Sequence, residues 1–161
     1  MARSEFLQRG PAVVTDATRA AIDDIIDAFR CGDHARLADR YDDDIEWQLH
    51  APVSVFPFAG IRRGKNAVLA SLLGVYRDFQ IASYDVPLIM VEGDRAATIA
   101  DVRVIQRSTG RVIVSHLAGF HRFRGGKMIE YRGFSDSFDS VEQALGHDLD
   151  IGAAGSPPTS P

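Results

Sequence analysis

Four side chains of this sequence have the chemistry to move a proton or to hold a developing charge: Tyr131, His50, Asp101 and His116. A phenol in a dry pocket can donate a hydrogen bond to a ligand oxygen, and one well-placed donor contributes roughly 3 kcal/mol to an oxyanion. Tyr131 takes either that role or the plainer one of a core tyrosine bonded to a backbone acceptor. His50 ends an extended segment just before Ala51-Pro52. Imidazole titrates nearest neutral pH, which suits His50 to a proton shuttle, or it is simply a loop histidine. Asp101 and His116 read either as a carboxylate orienting a histidine base or as an ion pair on a sheet face. His121 lies toward a hairpin end, too far along its strand to rank with these, and His34 and His147 read as surface residues. The histidines and acidic residues show no metal-ligand spacing, so no metal and no cofactor is expected.

The elements that must position these groups follow from periodicity. Ala21, Ile22, Ile25, Ile26 and Phe29 recur at helical spacing behind a cap at Thr15 or Asp16, and Gly32 ends that helix. Asp33 caps a second, short helix carrying Leu37 and Tyr41, closed by Asp42 to Asp44. Ile45 to Leu49 alternates as a strand, with Trp47 and Leu49 on one side. A loop rich in Phe and Pro leads to Gly60 and Gly64, which precede a third helix with Val68, Leu69, Leu72, Leu73, Tyr76 and Phe79 on a wide apolar face. The Gly60 to Lys65 stretch lacks the spacing of a phosphate-binding loop.

Strands near 81–92, 96–106, 112–123 and 127–136 follow, separated by the turn signals Glu92-Gly93-Asp94, Ser108-Thr109-Gly110 and Gly125-Gly126. Asp139 to Leu145 reads as one closing helical turn. The expected fold is α+β, a cone-like curved antiparallel sheet with three helices packed on its concave face. Residues 1–14 form an arm, 15–146 the domain, and 147–161, rich in Gly, Ala, Pro and Ser, a flexible tail.

Hairpin lengths decide which rows face the concave side. A four-residue loop at Arg107 to Gly110 pairs Val104 with Ile113, Val102 with Ser115 and Ala100 with Leu117, and sets Asp101 opposite His116. A three-residue loop at Arg124 to Gly126 pairs Phe123 with Lys127, His121 with Ile129 and Gly119 with Tyr131. One row is then small, apolar and almost uncharged, running through Val102, Ser115, Leu117, Ile129, Tyr131 and Ser135. The other, with Asp101, Arg103, His116, Met128, Glu130 and Arg132, mixes apolar groups with opposite charges. Isolated charges are costly to bury, so the first row faces the interior and the second faces a partner subunit. Trp47, Leu49, Leu72, Tyr76, Val102, Ser115, Leu117, Tyr131 and Ser135 are the expected ligand-lining residues.

The remaining bounds are set by composition. The 161 residues suffice for one domain with a real core. A net charge of −4 without a basic cluster argues against nucleic acid. No apolar run approaches a membrane span, and the N-terminal stretch lacks a long apolar signal region, so no membrane partner and a cytoplasmic location are expected. Cys31 is the single cysteine and reads as a small residue near a helix end.

The run from Cys31-Gly32-Asp33 through Leu37, Tyr41, Asp42 to Asp44, Ile45 and Trp47 resembles the opening of the nuclear transport factor 2-like superfamily, in its SnoaL-like branch. The stretch from Phe120 to Arg132 resembles the penultimate hairpin of that branch, and the likeness covers roughly residues 16–146. The group includes ketosteroid isomerases, polyketide cyclases, limonene-epoxide hydrolase and scytalone dehydratase. The resemblance implies a cone with one apolar pocket and a homodimer through the convex sheet face.

It does not carry over the known catalytic sets. The hydrolase's Arg-x-Asp is reversed here as Asp101-Val102-Arg103, with Gly133, Trp47 and Leu49 at its other positions. The ketosteroid isomerase positions hold Trp47, Ile25 and Gly119. The expected function is a pocket for a small apolar ring compound, acted on by cofactor-independent isomerisation, dehydration or cyclisation. The alternatives are a non-catalytic ligand-binding or dimerisation module, or an accessory subunit of a larger enzyme.

Overall fold

Gly32 and Asp33 divide the helical opening of the chain in two. Gly32 adopts the left-handed conformation (φ 67°) that a side chain would resist, and the Asp33 carboxylate accepts from the Arg36 N–H at 3.1 Å. The structure, a computed structural model, describes residues 11–150. Helix α1 runs Pro11–Cys31 and α2 His34–Arg40. Asp24 of α1 holds both Arg36 and Arg40 of α2, and the two guanidiniums keep its carboxyl below the usual carboxylate range. Strand β1 (Tyr41–His50), a looped segment, β2 (Gly60–Arg63) and α3 (Lys65–Asp78) come next. The meander β3 (Phe79–Glu92), β4 (Arg95–Gln106), β5 (Val112–Arg124) and β6 (Lys127–Ser135) follows, closed by α4 (Ser137–Leu145).

One six-stranded sheet has the order β2-β1-β6-β5-β4-β3, antiparallel throughout except where β1 lies parallel to β6. α1 packs on β3 and β4, α3 on β1, β2 and β3, and α4 on β5. Ile22, Leu37, Ile45, Val68 and Met128 are fully buried between these layers. Each such side chain contributes about 2 kcal/mol through area removed from water.

The fold class is the expected one, with differences that have local causes. Four helices form rather than three, because Asp139 to Leu145 is part of a helix whose Val141 and Ala144 are buried. α1 begins at Pro11, inside the stretch read as an arm, and proline suits a first helical turn. At the other end Leu149 packs on the core and its N–H bonds Glu142 Oε1 at 2.8 Å. The rest of the expected arm and tail, 1–10 and 151–161, lies outside the described residues.

The run Asp42 to Asp44 opens β1 instead of closing α2, since Asp42 meets Arg124 and Asp43 pairs with Lys65.

The Arg107 to Gly110 loop has four residues and the predicted register. The last hairpin differs: Gly125 and Gly126 are both left-handed (φ 58° and 80°) and form a two-residue turn joining Arg124 to Lys127. A bulge follows, in which Phe123 pairs with Met128 and Arg122 with Glu130, leaving Ile129 unpaired. The bulge turns Met128 inward, against expectation, while returning Tyr131 to the same face. His121 therefore sits opposite Tyr131, Gly119 opposite Gly133 and Leu117 opposite Ser135.

Beyond Ser135 the sheet loses β6, yet β5 continues. Gln143 of α4 takes the missing strand's place, its Oε1 accepting from the Val114 N–H at 2.7 Å and its Nε2 donating to the Val114 carbonyl at 3.0 Å.

Candidate functional site

Two rows of side chains cross the concave face. Ala96, His121, Tyr131 and Trp47 form one, on neighbouring strands, and Thr98, Gly119, Gly133 and Leu49 form the next. The first row is large and the second has a glycine pair at its centre, so the rings can lie down over the glycines. A carbon added at Gly133 would stand 2.3 Å from the Tyr131 hydroxyl and 2.9 Å from Leu49. One added at Gly119 would stand 2.8 Å from both His121 Nε2 and Thr98 Oγ1. Trp47 stacks on Tyr131 with ring centres 5.4 Å apart, and His121 tilts against it at 5.1 Å.

Above these rows lies a cavity of about 190 Å³. α1 contributes Ile22, Ile25, Ile26 and Phe29; α3 contributes Leu72 and Val75; the loop after β1 contributes Phe56 and Phe58. Ser71 of α3 pins that loop by donating to the Phe58 carbonyl at 2.7 Å, and Phe58 meets Phe79 edge-on at 5.7 Å. No carboxylate, lysine or arginine is among the lining residues described. The polar groups are hydroxyls, one indole and one imidazole.

Their protonation follows from burial. Desolvation raises the pKa of Tyr41, Tyr84 and Tyr131, Tyr84 to about 12, so all three are neutral donors at physiological pH. Among the described residues the Tyr131 hydroxyl has no hydrogen-bond partner. Burial lowers His121 to about 4, so its imidazole is neutral. Nε2 lies 3.0 Å from Thr98 Oγ1, while Nδ1 is buried without a partner. A small, largely apolar chamber with neutral donors and one neutral imidazole can hold an uncharged apolar molecule, polarise an oxygen on it and accept a proton.

Of the residues expected to line the pocket, Trp47, Leu49, Leu72, Val102, Ser115, Leu117, Tyr131 and Ser135 do line the cavity. Tyr76 does not: its hydroxyl donates to the Phe29 carbonyl at 2.6 Å, outside the lining. His50 is exposed on the outer face, stacked on Phe134 at 4.4 Å, because an even step from Gln48 carries it away from Trp47 and Leu49. Asp101 and His116 meet at 2.8 Å, also on the outer face and exposed. The structure therefore does not bring His50, Asp101 or His116 to Tyr131. It brings His121 and Thr98 there instead. No residue of the sequence announces this: Met128 and Tyr131, three apart, share the inward face only because the bulge at Ile129 intervenes.

Among the described residues no three His, Cys, Asp or Glu side chains are grouped to hold a metal ion, and no helix is long and apolar enough to cross a membrane.

Comparison with known proteins gives a consistent placement. No curated protein matches the chain. A proposed isomerase from Rhodopseudomonas palustris is similar in structure (TM-score 0.75, 31% identity), over 79% of this chain and 97% of that one. An NTF2-like protein from Burkholderia xenovorans is similar at TM-score 0.71 and 24% identity, over 81% and 97% of the two chains. An LEH-like epoxide hydrolase from M. tuberculosis shares the fold at TM-score 0.68 and 14% identity, over 82% and 92%. The family profile described as SnoaL-like domain matches residues 22–131. With the cone, the glycine-floored cavity and this match together, the chain belongs to the SnoaL-like family of the NTF2-like superfamily.

Proposed function

We propose that the protein binds a small uncharged ring compound in the cone and moves a proton on it, as a cofactor-independent isomerase, dehydratase or cyclase. The Tyr131 hydroxyl carries this reading. It lines an apolar cavity, burial keeps it protonated, and it has no acceptor among the described residues. Such a donor stabilises a ligand carbonyl most when negative charge builds on the oxygen, as it does on enolisation.

His121 is the base in this reading. An imidazole held near pKa 4 by burial is a weak proton acceptor alone. It gains basicity when an enolate forms beside it, because imidazolium and enolate attract strongly where water is excluded. Nε2, which lies 3.0 Å from Thr98 Oγ1, is the nitrogen that takes the proton in this reading, because Nδ1 is sealed off by protein. The likeness to the proposed isomerase from Rhodopseudomonas palustris supports the reaction class.

Calorimetric titration with cyclic ketones and hydrocarbons of matching shape tests the reading. Ketones should bind, and Tyr131→Phe should weaken them about tenfold, the loss of one good hydrogen bond in a dry site, while sparing the hydrocarbons. Wild type should also exchange the ketone's α-protons with deuterated solvent, and His121→Phe should not. Ketone affinity and exchange both indifferent to Tyr131→Phe would sink it.

A second reading, a binding module without turnover, is favoured by the lack of any carboxylate among the lining residues described. Tight binding without proton exchange would select it. In either case the working unit is a homodimer joined through the outer sheet face. Exposed Phe120 (54%), Phe134 (44%) and Ile99 (42%) beside the Asp101–His116 pair support that face as the contact.

A further inference from the structure

The function proposed above uses the Tyr131 side of the cavity. At the other end, under α4, three serine hydroxyls line the same space: Ser115 on β5, Ser135 at the end of β6 and Ser140 on α4. A serine hydroxyl has one hydrogen to donate and two lone pairs to receive. Ser140 Oγ lies 2.6 Å from the Asp136 carbonyl, which can only accept, so the Ser140 hydrogen points there. The 3.0 Å contact between Ser140 Oγ and Ser115 Oγ is then donated by Ser115. Ser135 donates to the His50 carbonyl at 3.4 Å. All three hydrogens are directed at protein acceptors, and what these hydroxyls retain for a ligand is lone pairs. The Tyr131 end has the opposite polarity, a hydrogen with no acceptor among the described residues.

We infer that Ser115 and Ser140 form a second subsite that accepts a hydrogen bond from the ligand, so that the cavity selects ring compounds with a carbonyl at one end and a hydroxyl at the other. This rests on the reading of Tyr131 as the carbonyl's donor. The spacing agrees. The Tyr131 hydroxyl lies over Gly133, which pairs with Gly119. Ser115 is four residues from Gly119 along β5, roughly 13 Å at strand rise. Side chains reaching in from both ends leave the length of one ring with a short chain. The volume exceeds that of a single ring: a void of roughly 150 Å³ holds one benzene, and this one measures about 190 Å³.

Benzylacetone, its para-hydroxy derivative and its para-methoxy derivative, titrated into the full chain, test the inference. Wild type should bind the para-hydroxy ketone about fivefold more tightly than the other two, the effect of one neutral hydrogen bond. Ser115→Ala should bring the hydroxy-to-methoxy ratio to near one. Ser140→Ala should also narrow it, because Ser115, released from its acceptor, then donates to the methoxy oxygen. Equal binding of all three ketones by wild type, or a preference that survives Ser115→Ala, overturns the subsite and leaves the Tyr131 reading standing. If none of the three binds, or if Tyr131→Phe leaves all three affinities unchanged, the Tyr131 reading falls and the subsite with it.

Discussion

The two faces of the sheet solve opposite problems with the same strands. On the concave side the inward residues of β4, β5 and β6 are aliphatic, small, hydroxylated or aromatic, and a glycine pair at the centre lets Tyr131 and His121 lie flat. On the convex side the alternate residues are Asp101, Arg103, His116, Glu130 and Arg132, interleaved with exposed Ile99, Phe120 and Phe134. Polar and charged groups there find each other at the surface, Arg132 with Glu130 and His116 with Asp101, both at 2.8 Å. The contrast teaches where each kind of recognition can live. A dry chamber without formal charge discriminates by shape and by the direction of a few hydrogen bonds; a mixed, wet face discriminates by patch and charge pattern.

The sharpest way to break this contrast is to fill the floor. Gly133→Ala puts a carbon 2.3 Å from the Tyr131 hydroxyl, and the ring, already stacked on Trp47, has to move. Urea unfolding should show a loss of about 2 kcal/mol, typical of overpacking, together with lost ketone binding.

A pH series separates the faces next. His121 drops from an ordinary 6.5 to about 4 on burial, so the unfolded chain takes up its proton first as pH falls. Its contribution is complete above about 6.5 and is lost as pH falls toward about 4. Wild type should therefore melt progressively lower through that window, and a Thr98→Val, His121→Phe double variant should give a flatter profile.

On the convex face Phe120→Ser should convert the proposed dimer to monomer in analytical ultracentrifugation, with little change in the monomer's circular dichroism. The smallest effect belongs to Asp101→Asn. It breaks a pair whose side chains are largely exposed, so monomer melting should not shift measurably.

Much of the concave lining was legible in the sequence. The cost of burying charge decided which row of β4 and β5 faces inward, and a four-residue loop at Arg107 to Gly110 fixed their register. The last hairpin was harder. A Gly-Gly pair serves a two-residue turn or a longer loop equally well by composition, and the bulge at Ile129 has no residue of its own to announce it. That hid His121, which a slip of two positions moved from the hairpin end to the centre of the site. His50 was misjudged for a simpler reason. One step along β1 separates the chamber wall from the outer face, whatever the chemistry of the side chain. The extent of α4 depended on packing against β5 that no local pattern encodes, since Gln143 looks like any polar helix residue until its amide meets Val114.

That amide has a consequence for the integrity of the molecule. By mimicking a peptide group, Gln143 blunts the stretch of β5 that β6 leaves uncovered. A chain cut short before Ser137 would bare those main-chain donors and acceptors as a template for a stray strand from another molecule. The C-terminal helix is thus a guard against fibrous self-association as well as a roof, and a truncated protein should fail first by clumping rather than by melting.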